Sequence, residues 1–180
     1  MAHPAHLDDY LAAHGYRSVA RTAVQTVDLA TVLTCTPPLH TQPSFAIEVA
    51  ETFDEAWFAA YCQFEGISGH EARARQSILQ RIEAQVGFTL LQIDNRPVAV
   101  GLGVLAESWL GLFCMATDPA VRRRGTAAAI VRTLTIWAQL YAARYAYLQV
   151  MQDNAPALAL YAKLGFTTHY HYHYRENKIL

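Results

Sequence analysis

The chain has 180 residues, of which 53% are hydrophobic, and its formal net charge at pH 7 is −1. This size allows one sizeable core, and the balanced charge gives no indication of nucleic acid or an anionic membrane as a partner. Cys35, Cys62 and Cys114 show no Cys-x-x-Cys spacing, so neither a disulfide framework nor a thiolate metal site is indicated. Because no signal core or membrane-length apolar run is present, we expect a cytoplasmic protein.

Residues 1–43 are predicted to form an N-terminal extension. A short helix ends at Gly15, residues 16–27 follow as an extended segment, and the proline-rich residues 34–43 are typical of a linker. The order helix, Gly-aromatic, strand returns at residues 158–166 and beyond. Either the extension is the remnant of a second half-domain, or two short units resemble each other by chance.

Residues 44–180 are predicted to form the main domain. Apolar runs indicate strands at 45–49, 86–94, 97–105, 109–117 and 145–152. Helical patterns cover 54–66, 70–84 and a long segment from Ala127, where Ile130, Leu134, Trp137 and Tyr141 form one stripe. Because the long helix connects the last two strands, these are predicted to be parallel within a mixed sheet.

The junction between strand 109–117 and the long helix is a candidate phosphate site. Asp118-Pro119 breaks the strand, and Gly125 precedes a helix N-terminus whose unpaired amides and positive dipole favour anions. Three arginines at 122–124 add charges that can bind phosphate oxygens. Neither a P-loop nor a dinucleotide fingerprint is present. The alternative is an Arg-rich, solvated turn that only caps the helix.

A second short helix follows strand 145–152. Asn154 is a good N-cap, and Gly165 is a typical C-terminal stop. Asn154 and Tyr161 lie within roughly 20° of one helix face, so an amide and a phenol should line the same groove. Alternatively, Asn154 is only a cap and Tyr161 only packs in the core.

Two ordered motifs carry a resemblance to a known family. Arg122-x-x-Gly125-x-Ala127 after a strand, and Tyr161-x-x-x-Gly165-Phe166 after Asn154, resemble the GNAT superfamily of acetyl-CoA-dependent N-acetyltransferases. The resemblance covers residue 45 to the C-terminus, and the closing Tyr-His-Tyr-Arg is similar to a bacterial subgroup with a truncated N-terminal half-domain. It implies an α/β (α+β) fold with a mixed central β-sheet, splayed parallel central strands and helices on both faces.

The resemblance also implies a reaction. Acetyl-CoA would be the cosubstrate, no metal would be needed, and a primary amine of a small molecule or peptide would attack the thioester directly. Tyr161 would protonate the leaving thiolate as general acid. The residues implied for acetyl-CoA binding are Met115, Ala116, Thr117, Arg122, Arg123, Arg124, Gly125, Thr126, Ala127, Asn154 and Tyr161.

The base that deprotonates the amine is not identified by the motifs. Glu107, Glu51 and Asp118 are candidates, a water relay could replace all three, and Glu107 is preferred. In the family, the helices at 54–66 and 70–84 lie over the acceptor site, although their aromatic residues could simply pack on the sheet.

The C-terminal segment alternates histidine and tyrosine. A strand would place His169, His171 and His173 on one face. Because no carboxylate or thiolate alternates with them, an edge strand or homodimer contact is favoured over a metal site.

Two other functions of the chain stay open, a non-catalytic acyl-CoA sensor and an interaction module. Tyr161 argues against the first, and the nearly neutral charge argues against the second.

Overall fold

The computed structural model describes residues 6–37 and 45–177. The strands are β1 (Arg17–Asp28), β2 (Phe45–Ala50), β3 (Val86–Ile93), β4 (Arg96–Ala106), β5 (Trp109–Thr117), β6 (Tyr145–Met151) and β7 (Thr167–Glu176). The α-helices are α1 (Leu7–Ala13), α2 (Leu29–Cys35), α3 (Glu55–Glu65), α4 (Gly69–Leu79), α5 (Thr126–Leu140) and α6 (Ala155–Lys163). A 3₁₀ turn, Pro119–Val121, lies between β5 and α5.

The strands form one mixed sheet in the order β2-β3-β4-β5-β6-β1-β7. Strands β5 and β6, which α5 connects, are parallel, whereas the other neighbouring pairs are antiparallel. Helices pack on both faces. The predicted mixed sheet and α/β fold class are therefore confirmed.

Strand β1 lies between β6 and β7 and is antiparallel to both. Thr22, for example, is opposite Met151 on β6 and opposite Tyr172 on β7. The described part of the predicted extension, 6–37, is therefore continuous with the sheet of the main domain. The proposed origin of this segment in a second half-domain stays a prediction.

Two apolar cores cover the two faces of the sheet. On the first, the α5 face, side chains of α2, α5 and α6 pack together, among them Val32, Ile130 and Tyr161. On the second, the α3 face, Trp57 and Phe88 pack beneath α3 and α4. The apolar stripe of α5 is buried as predicted except at its end, because Tyr141 is 42% exposed.

Strand β5 contains a β-bulge opposite Gly101. Val100 is opposite Ala116 and Leu102 is opposite Phe113, so Gly101 faces two residues, Cys114 and Met115. Cys114 has a positive φ of 48°. A bulge bends its strand and increases the local twist. The Gly101 carbonyl accepts a hydrogen bond of 3.0 Å from the indole nitrogen of Trp57 in α3.

We expect Trp57→Phe to destabilise the protein, because the variant loses the hydrogen bond to Gly101, which lies opposite the bulge. Trp57 is fully buried, and its loss leaves the Gly101 carbonyl without its indole donor. An unsatisfied buried acceptor costs about 1–3 kcal/mol, and the lost ring volume adds to this. Urea unfolding should show a lower midpoint with an unchanged slope. The matched control is Trp109→Phe, because Trp109 packs on Tyr145 with ring centroids 4.9 Å apart and is only partly buried. An equal loss of stability in both variants would contradict this role for Trp57.

Candidate active site

Strands β5 and β6 separate halfway along their length. Their parallel pairing runs only from Trp109 opposite Tyr145 to Leu112 opposite Leu148. Beyond this point β5 continues to Thr117 and β6 to Met151 without pairing to each other. We call the space between these unpaired segments the gap. Strand edges that face a gap present backbone N–H and C=O groups that need partners.

The backbone of β5 beyond the bulge has a definite orientation. The Asp118 amide donates to the Val98 carbonyl of β4 at 2.9 Å. Because backbone groups point alternately to the two sides of an antiparallel strand, those of Thr117 point into the gap, whereas Met115 belongs to the bulge, where this alternation is interrupted. Ala116, the third predicted residue of this segment, is opposite Val100, so its backbone groups point towards β4.

The loop after β5 presents free amides at the N-terminus of α5. Gly125 is the N-cap, has a φ of 80°, and provides no side-chain cap. The first bond of the helix joins the Ala129 amide to the Gly125 carbonyl at 3.0 Å. Within 6–37 and 45–177, the amides of Thr126, Ala127 and Ala128 have no acceptor outside the helix. This terminus therefore favours an anion.

The charges around this terminus are solvent-accessible. Arg122, Arg123 and Arg124 are exposed, whereas Thr126 is only 2% exposed. A Cβ atom added at Gly125 would meet no atom within 4 Å. The structure therefore leaves open space beside the amides, with three guanidinium groups within the same loop.

Helix α6 begins where β6 ends and packs on the α5 face. The Asn154 side-chain oxygen accepts a hydrogen bond from the Ala157 amide at 3.2 Å, so the predicted cap is present. Its side-chain amino group donates to no atom of the described residues. Tyr161 lies about 10 Å further along the helix, in the same apolar cluster as Leu112 and Leu148, the last pair before the gap.

Tyr161 is a buried phenol without a protein partner. It is 7% exposed and packs edge-on against Phe166 with ring centroids 5.6 Å apart. Its hydroxyl forms no hydrogen bond with the part of the chain that the structure describes. Burial raises the pKa of Tyr161 to about 12. The group is therefore neutral and can donate a proton at physiological pH.

The structure separates Glu107 from the other predicted site residues. Glu107 lies in the turn between β4 and β5, at the end of the sheet opposite the gap. At about 3.3 Å per residue, it is roughly 17 Å along the strand from Leu112. The gap opens at the other end of β5, beyond Leu112. Glu107 is too distant to accept a proton there.

The two other candidate carboxylates are engaged elsewhere. Glu51 follows β2, which is three strands away from β5 in the sheet, and accepts hydrogen bonds from the Tyr141 hydroxyl and from the Trp137 indole, the latter at 2.8 Å. These bonds lower the pKa of Glu51. Asp118 accepts a bond of 2.9 Å from the Ala120 amide and caps the 3₁₀ turn.

A polar cluster that the sequence did not indicate lies beside the bulge on the α3 face. Arg75 of α4 donates a hydrogen bond of 2.7 Å to the Tyr61 hydroxyl, and Tyr61 stacks on Trp57 with ring centroids 5.3 Å apart. Burial raises the pKa of Tyr61 and of the neighbouring Cys114 thiol. Arg75 reaches Tyr61 only through the packing of α4 against α3.

The alternating histidines lie on the edge strand β7. His173 contacts the Asp8 carboxylate at 2.8 Å, and Arg175 donates to the same group. No group of three or more His, Cys, Asp or Glu residues that could hold a metal ion occurs in the described ranges.

Among residues 6–37 and 45–177, no helix has both the length and the apolar character needed to cross a membrane.

A family model described as "Probable histone acetyltransferase Rv0428c C-terminal" matches residues 11–175 of the chain. The chain is also 26% identical over 174 residues to the uncharacterized N-acetyltransferase YobR of Bacillus subtilis (strain 168), covering 97% of the chain and 69% of that relative.

Solved structures share the fold at lower identity. A GCN5-related N-acetyltransferase from Kribbella flavida has a TM-score of 0.64 and 22% identity over 91% of the chain. A tandem GNAT protein from the clavulanic acid biosynthesis pathway has a TM-score of 0.75 and 13% identity over 96% of the chain. The chain spans 60% and 58% of these two proteins. AAC(6')-Iy, in complex with the bisubstrate analog CoA-S-monomethyl-acetylneamine, has a TM-score of 0.59 and 14% identity, with 74% of the chain and 98% of that protein covered.

We expect the Tyr161 phenol to titrate near pH 12. Its folded pKa is above the ordinary value of 10, because burial favours the neutral form. Its contribution to stability is therefore fully present below pH 10 and is lost as the pH rises through about 12. The measurement is the difference in tyrosinate absorbance between the wild type and Tyr161→Phe across this range. A difference curve with its midpoint near 10 would contradict the burial of this hydroxyl.

Proposed function

Because the chain belongs to the Rv0428c C-terminal acetyltransferase family of the GNAT superfamily, we propose that it transfers an acetyl group from acetyl-CoA to a primary amine. The observation that carries this proposal is the gap between β5 and β6. The free amides of the first turn of α5 come after the loop that follows β5, and the neutral Tyr161 belongs to the apolar cluster that also contains Leu112 and Leu148, the last pair before the gap. The acceptor amine belongs to a small molecule or to a peptide or protein. The description of the family as a probable histone acetyltransferase is an example of a protein acceptor.

The residues present fit acetyl-CoA. Backbone groups of Met115 and Thr117 would pair with the amide-containing arm of the cosubstrate as a missing strand would. The open space beside Gly125, the amides up to Ala128 and the arginines at 122–124 would hold the pyrophosphate. Asn154, with its oxygen used as a cap, retains an amino group that can donate to the arm. The complex of AAC(6')-Iy with a CoA-containing analog supports this use of the fold.

The proposed reaction needs one proton donor near the sulfur. The amine nitrogen attacks the thioester carbonyl carbon, the C–N bond forms and the C–S bond breaks. Tyr161 gives its proton to the departing thiolate, which its neutral state at physiological pH allows. The proton released by the amine passes to water, because Glu107, Glu51 and Asp118 lie elsewhere or are engaged, and a proton from water returns to Tyr161. A protein that only sensed acyl-CoA would not need this phenol.

We expect Gly125→Asp to abolish acetyl-CoA binding. The substitution places a carboxylate beside the amides that would hold the pyrophosphate and strains a backbone with a φ of 80°. Isothermal titration calorimetry should detect no binding to the variant. Gly15→Asp is the matched control, because Gly15 has a φ of 82°, has equally open surroundings and lies before β1. Equal binding by both variants would exclude the loop as the pyrophosphate site.

We expect Tyr161→Phe to separate binding from catalysis. The variant keeps the ring packed on Phe166 and removes only the hydroxyl. Acetyl-CoA affinity should change less than twofold, while kcat for thiol release falls by about 10²–10⁴-fold, the usual contribution of a general acid. Thiol release from acetyl-CoA with a panel of amines is the assay. An unchanged kcat would assign proton donation to another group.

A further inference from the structure

We propose that the acceptor is an amine with an aromatic or apolar body and a single charge, held on an uncharged aromatic surface on the α3 face of the gap. This inference rests on the proposed function and specifies its substrate class. The acceptor surface, as we define it, consists of Phe113, Tyr147, Gln149 and Tyr172.

The first part of this surface lies where the gap opens. Phe113 is the first residue of β5 after the last paired position, Leu112. Its ring meets the ring of Tyr147 from β6 edge-on, with centroids 5.9 Å apart and planes at 86°. These two rings therefore span the closed end of the gap, next to the place where an amine would meet the thioester.

Gly111 holds both rings close to the sheet. A Cβ atom added at Gly111 would lie 2.5 Å from the Phe113 ring and 2.9 Å from the Tyr147 hydroxyl. Real Cβ atoms do not approach other atoms so closely. Only glycine allows the rings to rest on the backbone at this position.

The surface continues across β1 to β7. Ala146, Leu148 and Val150 of β6 are buried on the α5 face, so the alternating Tyr147 and Gln149 lie on the opposite face. The Tyr172 hydroxyl donates a hydrogen bond to the Gln149 side-chain oxygen. Tyr172 of β7 therefore shares the face of Tyr147.

The half of the sheet that contains β6, β1 and β7 is covered by helices on the α5 face. Helix α3 packs on β3, β4 and β5, whereas α2 contacts β1 and α1 contacts β7. Val32 of α2 belongs to the core of the α5 face, and Asp8 of α1 binds His173 and Arg175, which alternate with the tyrosines of β7. In 6–37 and 45–177, no helix packs to a comparable extent on the α3 face of β6, β1 or β7.

The surface is uncharged at its centre. Strands β5 and β6 contain no Asp, Glu, Lys or Arg at any position. On the neighbouring helices, Arg75 is paired with Glu71 at 2.9 Å and donates to Tyr61. The carboxylate of Glu65, the last residue of α3, lies within electrostatic range of Cys114, the residue after Phe113. A polycationic acceptor would find no carboxylate on these strands. An aromatic body can stack on Phe113 and Tyr147, and a single ammonium can lie against a ring face.

The test compares three amines as acceptors in the thiol-release assay: 2-phenylethylamine, butylamine and spermidine. We expect kcat/KM for 2-phenylethylamine to exceed the other two by about tenfold, because ring stacking adds to the burial of its body. Phe113→Leu and Tyr147→Leu should remove most of this preference while acetyl-CoA affinity stays unchanged. The Phe113 and Tyr147 rings rest on Gly111, so their replacement could destabilise the fold. Tyr172→Leu is an independent variant, because Tyr172 does not pack on Gly111. Tyr10→Leu, an exposed tyrosine on α1, is the control and should keep the preference.

A binding measurement distinguishes the failure of this inference from failure of the proposed function. Saturation-transfer NMR with the CoA-loaded protein should show that 2-phenylethylamine binds more tightly than butylamine. Tyr147→Leu should weaken the binding of 2-phenylethylamine. Such binding without thiol release would support the acceptor surface and overturn the proposed catalysis. Equal or tighter binding, or faster turnover, of butylamine or spermidine would overturn the substrate class alone.

Discussion

The separation of β5 from β6 depends on the bulge at Cys114 and Met115. One extra residue opposite Gly101 bends β5 away from its parallel neighbour directly after Leu112. Trp57 supports the bulge from the α3 face by binding the Gly101 carbonyl. From the α5 face, Met115 and Ile130 occupy the space that a Cβ atom at Gly101 would need. The gap is thus fixed by packing on both faces.

The two faces of the sheet differ in charge around this gap. The α5 face has the free amides of α5, the arginines at 122–124 and the buried phenol of Tyr161, which suit an anionic thioester cosubstrate and its leaving group. The α3 face has uncharged aromatic rings, among them Phe113 and Tyr147. In the proposed reaction, the two reactants would therefore approach the gap from opposite faces of the sheet.

Features set by neighbouring residues could be predicted from the sequence, and those set by distant packing could not. The cap at Asn154 and the helix start at Gly125 are local features, so the sequence motifs located them. The position of Glu107 beside β5 did not tell which end of that strand borders the gap. The contact of Arg75 with Tyr61, likewise, depends on how two helices pack.

The position of β1 also depends on packing between distant segments, and β1 supports one wall of the gap. A strand next to β6 is needed because β6 loses β5 as a partner after Leu148. Its other edge pairs with β1 along its whole length, from Tyr145 opposite Asp28 to Met151 opposite Thr22. The segment of β6 that borders the gap thus keeps one complete ladder of hydrogen bonds. Strand β1 thereby holds this wall of the gap in place.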